Sequence, residues 1–180
     1  MKKILLLLFL FPLVSRAQDA STPQDSTVLL SDYEYFSLQP GKIFKQKDSS
    51  IGFIKDIKVF CSISINQEDG SVMKAVTFQQ AGAQYNRAII IDFADIEGVL
   101  KSLEYFQSLA TAGKQRDDPS YTFLTKHDVR ISLSYNGKWS FIIEKVYHYK
   151  KASEVANSMV LFEKEQIKGI IFLIKRAIGK

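Results

Sequence analysis

Two helical stretches 71 positions apart carry the same pattern, and no other feature of the chain restricts its fold as tightly. In "IDFADIEGVLKSLEYF", Ile91 to Phe106, the residues Ile96, Val99, Leu100 and Leu103 fall at i, i+3, i+4 and i+7 and so share one helix face. Advancing each by 71 gives Ile167, Ile170, Ile171 and Ile174 on one face of the last helical stretch, and Gly98 becomes Gly169. A glycine inside a helix costs roughly 0.5–1 kcal/mol relative to alanine. Its return at the same register predicts close packing of helix on sheet in both places.

Strand patterns precede each helix. In the first half, "KVFCSISINQEDGSVMKAVTF" is an alternating strand, an Asp69-Gly70 turn and a second strand, and "RAIIIDF" is a short strand apolar on both faces. In the second, "SYTFLT" and "VRISLSYNGKWSFIIEKVYHY" give three strands with a turn at Asn136-Gly137, and "SMVLF" is again apolar on both faces. The fold class that follows is α+β: two antiparallel β-meander-plus-helix halves, a tandem ββββα-like arrangement packed as one compact unit. Half one covers about 42–111 and half two about 119–180 of a single domain at 42–180. At the second turn, a three-residue loop of Tyr135, Asn136 and Gly137 pairs Leu133 with Trp139, Ile131 with Phe141 and Val129 with Ile143, whereas a two-residue turn mixes the faces. The three-residue loop gathers the large apolar residues on one side and makes Trp139 a core residue.

The chain opens with Lys2 and Lys3, an apolar run "ILLLLFLFPLV" and then "SRAQ", the pattern of a secretory signal peptide over 1–17 cleaved between Ala17 and Gln18. Cleavage removes Lys2, Lys3 and Arg16, which lowers the formal charge from +5 to +2 and weakens any case for nucleic acid as the default partner. The next segment, 18–41, is an acidic and partly flexible leader holding Asp19, Asp25, Asp32 and Glu34 without a Lys or Arg. Its later part is expected to lie against the body through Tyr33, Tyr35 and Phe36. The mature protein is expected to be periplasmic or extracellular, with no transmembrane segment.

Chemistry-bearing patterns are sparse. His127 and His148 stand apart with no second His or Cys at metal spacing, so no zinc signature exists and His127, in "TKHDV", reads as a turn residue. There is no Gly-rich phosphate loop, no G-x-S-x-G elbow and no Cys-His pair. Cys61 alternates with Val59 and Ile63, which predicts a buried thiol. Asp92 and Asp95 stand where the first apolar strand gives way to helix, and they read as helix-capping residues rather than a metal or acid/base pair, Asp92 accepting from helix N–H groups and Asp95 lying in the first turn. The best candidate for partner contact is "VYHYKK", where Tyr147, His148, Tyr149, Lys150 and Lys151 combine aromatic faces with positive charge. The basic runs "KIFKQK" and "FIKDIK" read as the exposed face of an edge strand.

In the order of its elements over Lys42 to Lys180, strands then a helix and again strands then a helix, the chain resembles the nucleic-acid-binding Whirly and PUR-type folds. Its strand-helix joins "IIIDFADIEGVLKSLEYF" and "YNGKWSFIIEKV" are similar to small exported bacterial proteins of unassigned function. The expectation is an exported, non-catalytic binding or interaction module without cofactor. Its partner would be an envelope protein, a polymer or a small ligand. The alternative is a single-stranded nucleic-acid binder working through the basic and aromatic strand surface.

Overall fold

The computed structural model describes residues 26–27, 30–80, 88–112, 119–149 and 152–180. A two-residue strand β1 (Ser26–Thr27) and a short helix α1 (Asp32–Ser37) lead into β2 (Phe44–Ile54), β3 (Ile57–Asn66), β4 (Val72–Gln80), β5 (Ala88–Asp92) and α2 (Ile96–Thr111). The second half repeats this order as β6 (Ser120–Leu124), β7 (Val129–Asn136), β8 (Lys138–Tyr149), β9 (Ala152–Glu163), a 3-10 turn (Lys164–Gln166) and α3 (Ile167–Ile178). The first sheet is an antiparallel meander β2-β3-β4-β5; the second runs β6-β7-β8-β9, and β1 pairs with the far end of β8. The offset of 71 therefore marks real boundaries, because it carries the end of β5 to the end of β9 and the start of α2 to the start of α3. Both halves are ββββα.

The core-facing residues alternate as the strand period demands. Val59, Cys61, Val76, Phe78, Ile89 and Ile91 from the first sheet meet Val129, Ile131, Leu133, Phe141 and Ile143 from the second in one apolar cluster. Burial raises the Cys61 thiol above its ordinary pKa, the environment expected of an inert cysteine. The β7–β8 hairpin keeps the expected faces but not the expected register. Leu133 pairs with Phe141, Ile131 with Ile143 and Val129 with Lys145, a slip of two residues that leaves every side chain on its own side. The loop centres on Gly137, at φ +68°, and this lets Tyr135 face Trp139 with ring centroids 5.1 Å apart. Gaining that aromatic pair is the physical reason for the shift. "SMVLF" also departs from expectation: Val160 and Phe162 are buried, whereas Met159 and Leu161 are 51% and 60% exposed.

Each helix crosses to the other half. α3 packs on β2 and β3, and α2 packs on α3 and β6. Tyr105 of α2 meets Tyr121 of β6 edge to face at 6.2 Å. A β-bulge at Ile51 bends β2, and the Ile51 carbonyl accepts from Arg176 of α3 at 3.1 Å. Lys175 pairs with Glu104 at 2.7 Å, and these two residues are themselves 71 positions apart. Equivalent positions touch only near an axis relating the halves, so α2 and α3 meet on an approximate two-fold. The matched glycines behave differently. A Cβ on Gly98 would stand 2.9 Å from the tip of the Phe123 ring of β6, so the ring would have to shift to admit it, but one on Gly169 would be 3.9 Å from its nearest neighbour, Ile54. Of the two, only the first is closely packed.

Candidate functional site

The first strand-to-helix junction lies under α1. Strand alternation turns Ile89 and Ile91 to the core and Asp92 to the opposite face, where Ser62 and Ser64 are also buried. α1 lies against β3, β4 and β5 on that face. Its own start is a capping box, with Glu34 N–H donating to Ser31 Oγ at 3.0 Å and Ser31 N–H to Glu34 Oε2 at 2.8 Å. The Asp92 carboxylate accepts two more of its N–H groups, from Asp32 at 2.8 Å and Tyr33 at 2.9 Å. Burial pushes Asp92 above the usual carboxylate range, opposed by those two N–H groups and by His127.

Asp92 therefore caps α1, 60 residues earlier in the chain, and not α2 as the sequence suggested. Asp95 is the residue before α2, but its backbone is already helical at φ −91° and ψ −12°, and its side chain makes no cap hydrogen bond. Side-chain capping needs an extended backbone at that position.

The β6–β7 turn closes the cluster from the other half. His127 is a turn residue, as its sequence context implied, yet its side chain is only 10% exposed. Nε2 lies 3.2 Å from Asp32 Oδ1, and Nδ1 lies 3.1 Å from Asp92 Oδ2 and 3.7 Å from Asp95 Oδ2. Distance alone would make the Nδ1 contact a hydrogen bond, but the angle does not, so buried Nδ1 has no hydrogen-bond partner. The angle decides, since an N–H must point at its acceptor. The turn is fixed against β8 by Val146 N–H donating to the Asp128 carbonyl at 2.8 Å, with Asp128 at φ +58°, and by Lys145 Nζ donating to the His127 carbonyl. Lys145 is buried on the core face in phase with Trp139, Phe141 and Ile143. Burial lowers its pKa, opposed by the charges of Glu34, Asp128 and Asp92.

The second junction is open. Glu163 matches Asp92 by the same offset, but its side chain is 70% exposed and it forms a capping box with Gln166 of its own helix start. The turn that reaches it is the β2–β3 turn, whose Lys55 Nζ lies 3.4 Å from Glu163 Oε1. Lys55 sits at φ +52°, a left-handed conformation usually left to glycine at a hairpin tip. Beside this contact is a cleft of about 540 Å³ lined by Lys55, Tyr135, Lys138, Trp139, Leu161 and Lys164, with Glu163 and Glu165 at its edge. Its volume lies within the range of small-ligand pockets. The Trp139 indole N–H is buried without an acceptor, and Lys138 has no carboxylate partner among the described residues.

The other sequence candidates fall elsewhere. Tyr147, His148 and Tyr149 end β8, where Tyr149 pairs with Ala152 of β9 and with Ser26 of β1. Lys150, Lys151 and the cleavage pair Ala17 and Gln18 lie outside the described residues. Lys45 and Lys47 are exposed on the edge strand β2, as expected. "FIKDIK" is instead the β2–β3 turn, and Lys58 stands over the Phe60 ring at 4.6 Å. No helix of the described residues is long and apolar enough to cross a membrane. No protein-family model matches the chain, and no curated protein is similar to it.

Proposed function

We propose that the protein is an exported, non-catalytic binding module of the cell envelope or exterior whose ligand enters the cleft beside Trp139. The observation that carries this reading is the unequal use of two matched junctions. One is covered by α1; the other keeps an apolar wall and, among the described residues, an indole donor without an acceptor and a lysine without a carboxylate partner. Lys55 holds a left-handed backbone at the rim, and strain of this kind persists where a side chain has work to do. A ligand with an apolar body and an anionic end fits Leu161 and Trp139 on one side and Lys138 on the other.

Trp139 is the single tryptophan, so intrinsic fluorescence reports directly on the cleft. Titration with a panel of acidic peptides, acidic glycans and aromatic carboxylates should give a saturable change for at least one class, and Lys138→Glu should weaken it about tenfold or more. A panel without a response would sink this reading, as would turnover in a hydrolase screen abolished by one acidic substitution. Oligonucleotide binding that falls steeply with salt and is lost in the Lys150→Ala, Lys151→Ala double variant would put the nucleic-acid alternative in its place.

A further inference from the structure

We propose that Asp32, Asp92 and His127 form a divalent-cation site that fastens α1 to both halves of the protein. One carboxylate oxygen from each aspartate and one imidazole nitrogen lie within 4.8 Å of one another. Zinc, bonded at about 2.0–2.2 Å to nitrogen and oxygen, is the closest fit to this donor set, with water completing its coordination. This inference is independent of the cleft beside Trp139, which is at the other junction.

The second observation is His127 itself. Its side chain is nine-tenths buried, and Nδ1 is aimed among carboxylates, 3.1 Å from Asp92 and 3.7 Å from Asp95, without a hydrogen bond. An imidazole nitrogen in that position carries either a proton or a lone pair. The proton would be poorly directed, and the lone pair would face negative oxygens unless a cation lay near them. Charge balance points the same way. The carboxylates of Asp32, Asp92 and Asp95 all lie within 3.7 Å of the His127 ring, and among the described residues the ammonium groups beside them are Lys126, 3.6 Å from Asp32, and Lys145, which donates to the His127 carbonyl. A proton on His127 would offset one negative charge. A divalent cation offsets two.

The geometry also explains why the site belongs to one junction. Asp32 comes from α1, Asp92 from β5 of half one and His127 from the β6–β7 turn of half two. The matched place in half two has Glu163 and Lys55 and, among the described residues, no histidine and no covering helix. A cation here would join three segments far apart in the chain, and removing it would loosen α1 first.

The test uses the protein as the cell exports it, stripped with chelator and titrated with zinc chloride at neutral pH by calorimetry and equilibrium dialysis. One-to-one uptake and a melting temperature that rises with zinc concentration are expected. His127→Gln and Asp32→Asn should each weaken binding by about tenfold or more. Asp32 is part-exposed, so Asp32→Asn should keep the native circular dichroism and stay informative if His127→Gln does not fold. Cobalt in place of zinc should give the visible absorption of an ordered nitrogen–oxygen site in the wild type and lose it in Asp32→Asn. Absence of stoichiometric uptake, or uptake equal in wild type and Asp32→Asn, would overturn the proposal and leave His127 as a buried turn residue beside the aspartates.

Discussion

The two strand-to-helix junctions occupy equivalent places in the two halves, and one is buried and charged while the other is exposed and open. Both are met by the first turn of the opposite half: His127 reaches Asp92, and Lys55 reaches Glu163. What separates them is α1, which has no counterpart at the second junction among the described residues. Where it sits, an acid becomes a buried cap for a distant helix and the neighbouring turn becomes part of a polar cluster. Where nothing matches it, the acid caps its own helix start and a cleft remains. A pseudo-symmetric scaffold can thus produce two unlike surfaces by adding a single short element to one side.

The largest expected break in this comparison is at the acids. Asp92→Ala should cost about 2–4 kcal/mol, because it strands the buried N–H of Tyr33 and the part-buried N–H of Asp32, whereas Glu163→Ala should cost less than about 1 kcal/mol. Paired urea denaturation curves measure both, and equal losses would show that α1 does not differentiate the junctions. The matched glycines come next. Gly98→Ala should destabilise by about 1–3 kcal/mol by pressing on Phe123, and Gly169→Ala, with room for a methyl group, should stabilise by about 0.5–1 kcal/mol. Opposite signs in thermal melts are the expected result; the same sign would mean that the helices seat alike. The smallest effect is expected at the open junction. Lys55→Gly should relieve the left-handed backbone and forfeit only an exposed ion pair, for a net gain of about 0.5–1 kcal/mol. A loss of stability there would show that the contact with Glu163 holds the halves together.

Patterns that repeat over a few residues were legible in the sequence. The helix faces of Ile96 to Leu103 and Ile167 to Ile174, the ββββα order and the sidedness of the β7–β8 hairpin all follow from local period. The hairpin register did not follow, because it was settled by one aromatic pair, Tyr135 with Trp139, rather than by the sum of apolar contacts. Helix α1 is too short to show a period, although its capping box is written out as Ser31, Asp32, Tyr33 and Glu34. The polar cluster draws Asp32, Asp92 and His127 from separate elements, so no spacing announces it. Its single trace in the sequence is Lys145, a lysine in phase with Trp139, Phe141 and Ile143, where another apolar residue would be expected.

The exchange of helices between halves bears on how the chain acquires its structure. The first half emerges first from the ribosome, but the surface that α2 needs belongs to β6 and α3, and the surface of β2 and β3 waits for α3. Neither half can therefore complete its core while the other is missing. Folding must wait for the last helix, whose Ile167, Ile170 and Ile174 become fully buried only then. Until that moment the nascent protein exposes apolar sheet. Contacts between segments more than a hundred residues apart, such as Arg176 with Ile51, are of the kind that slow folding and leave unfinished chains open to association.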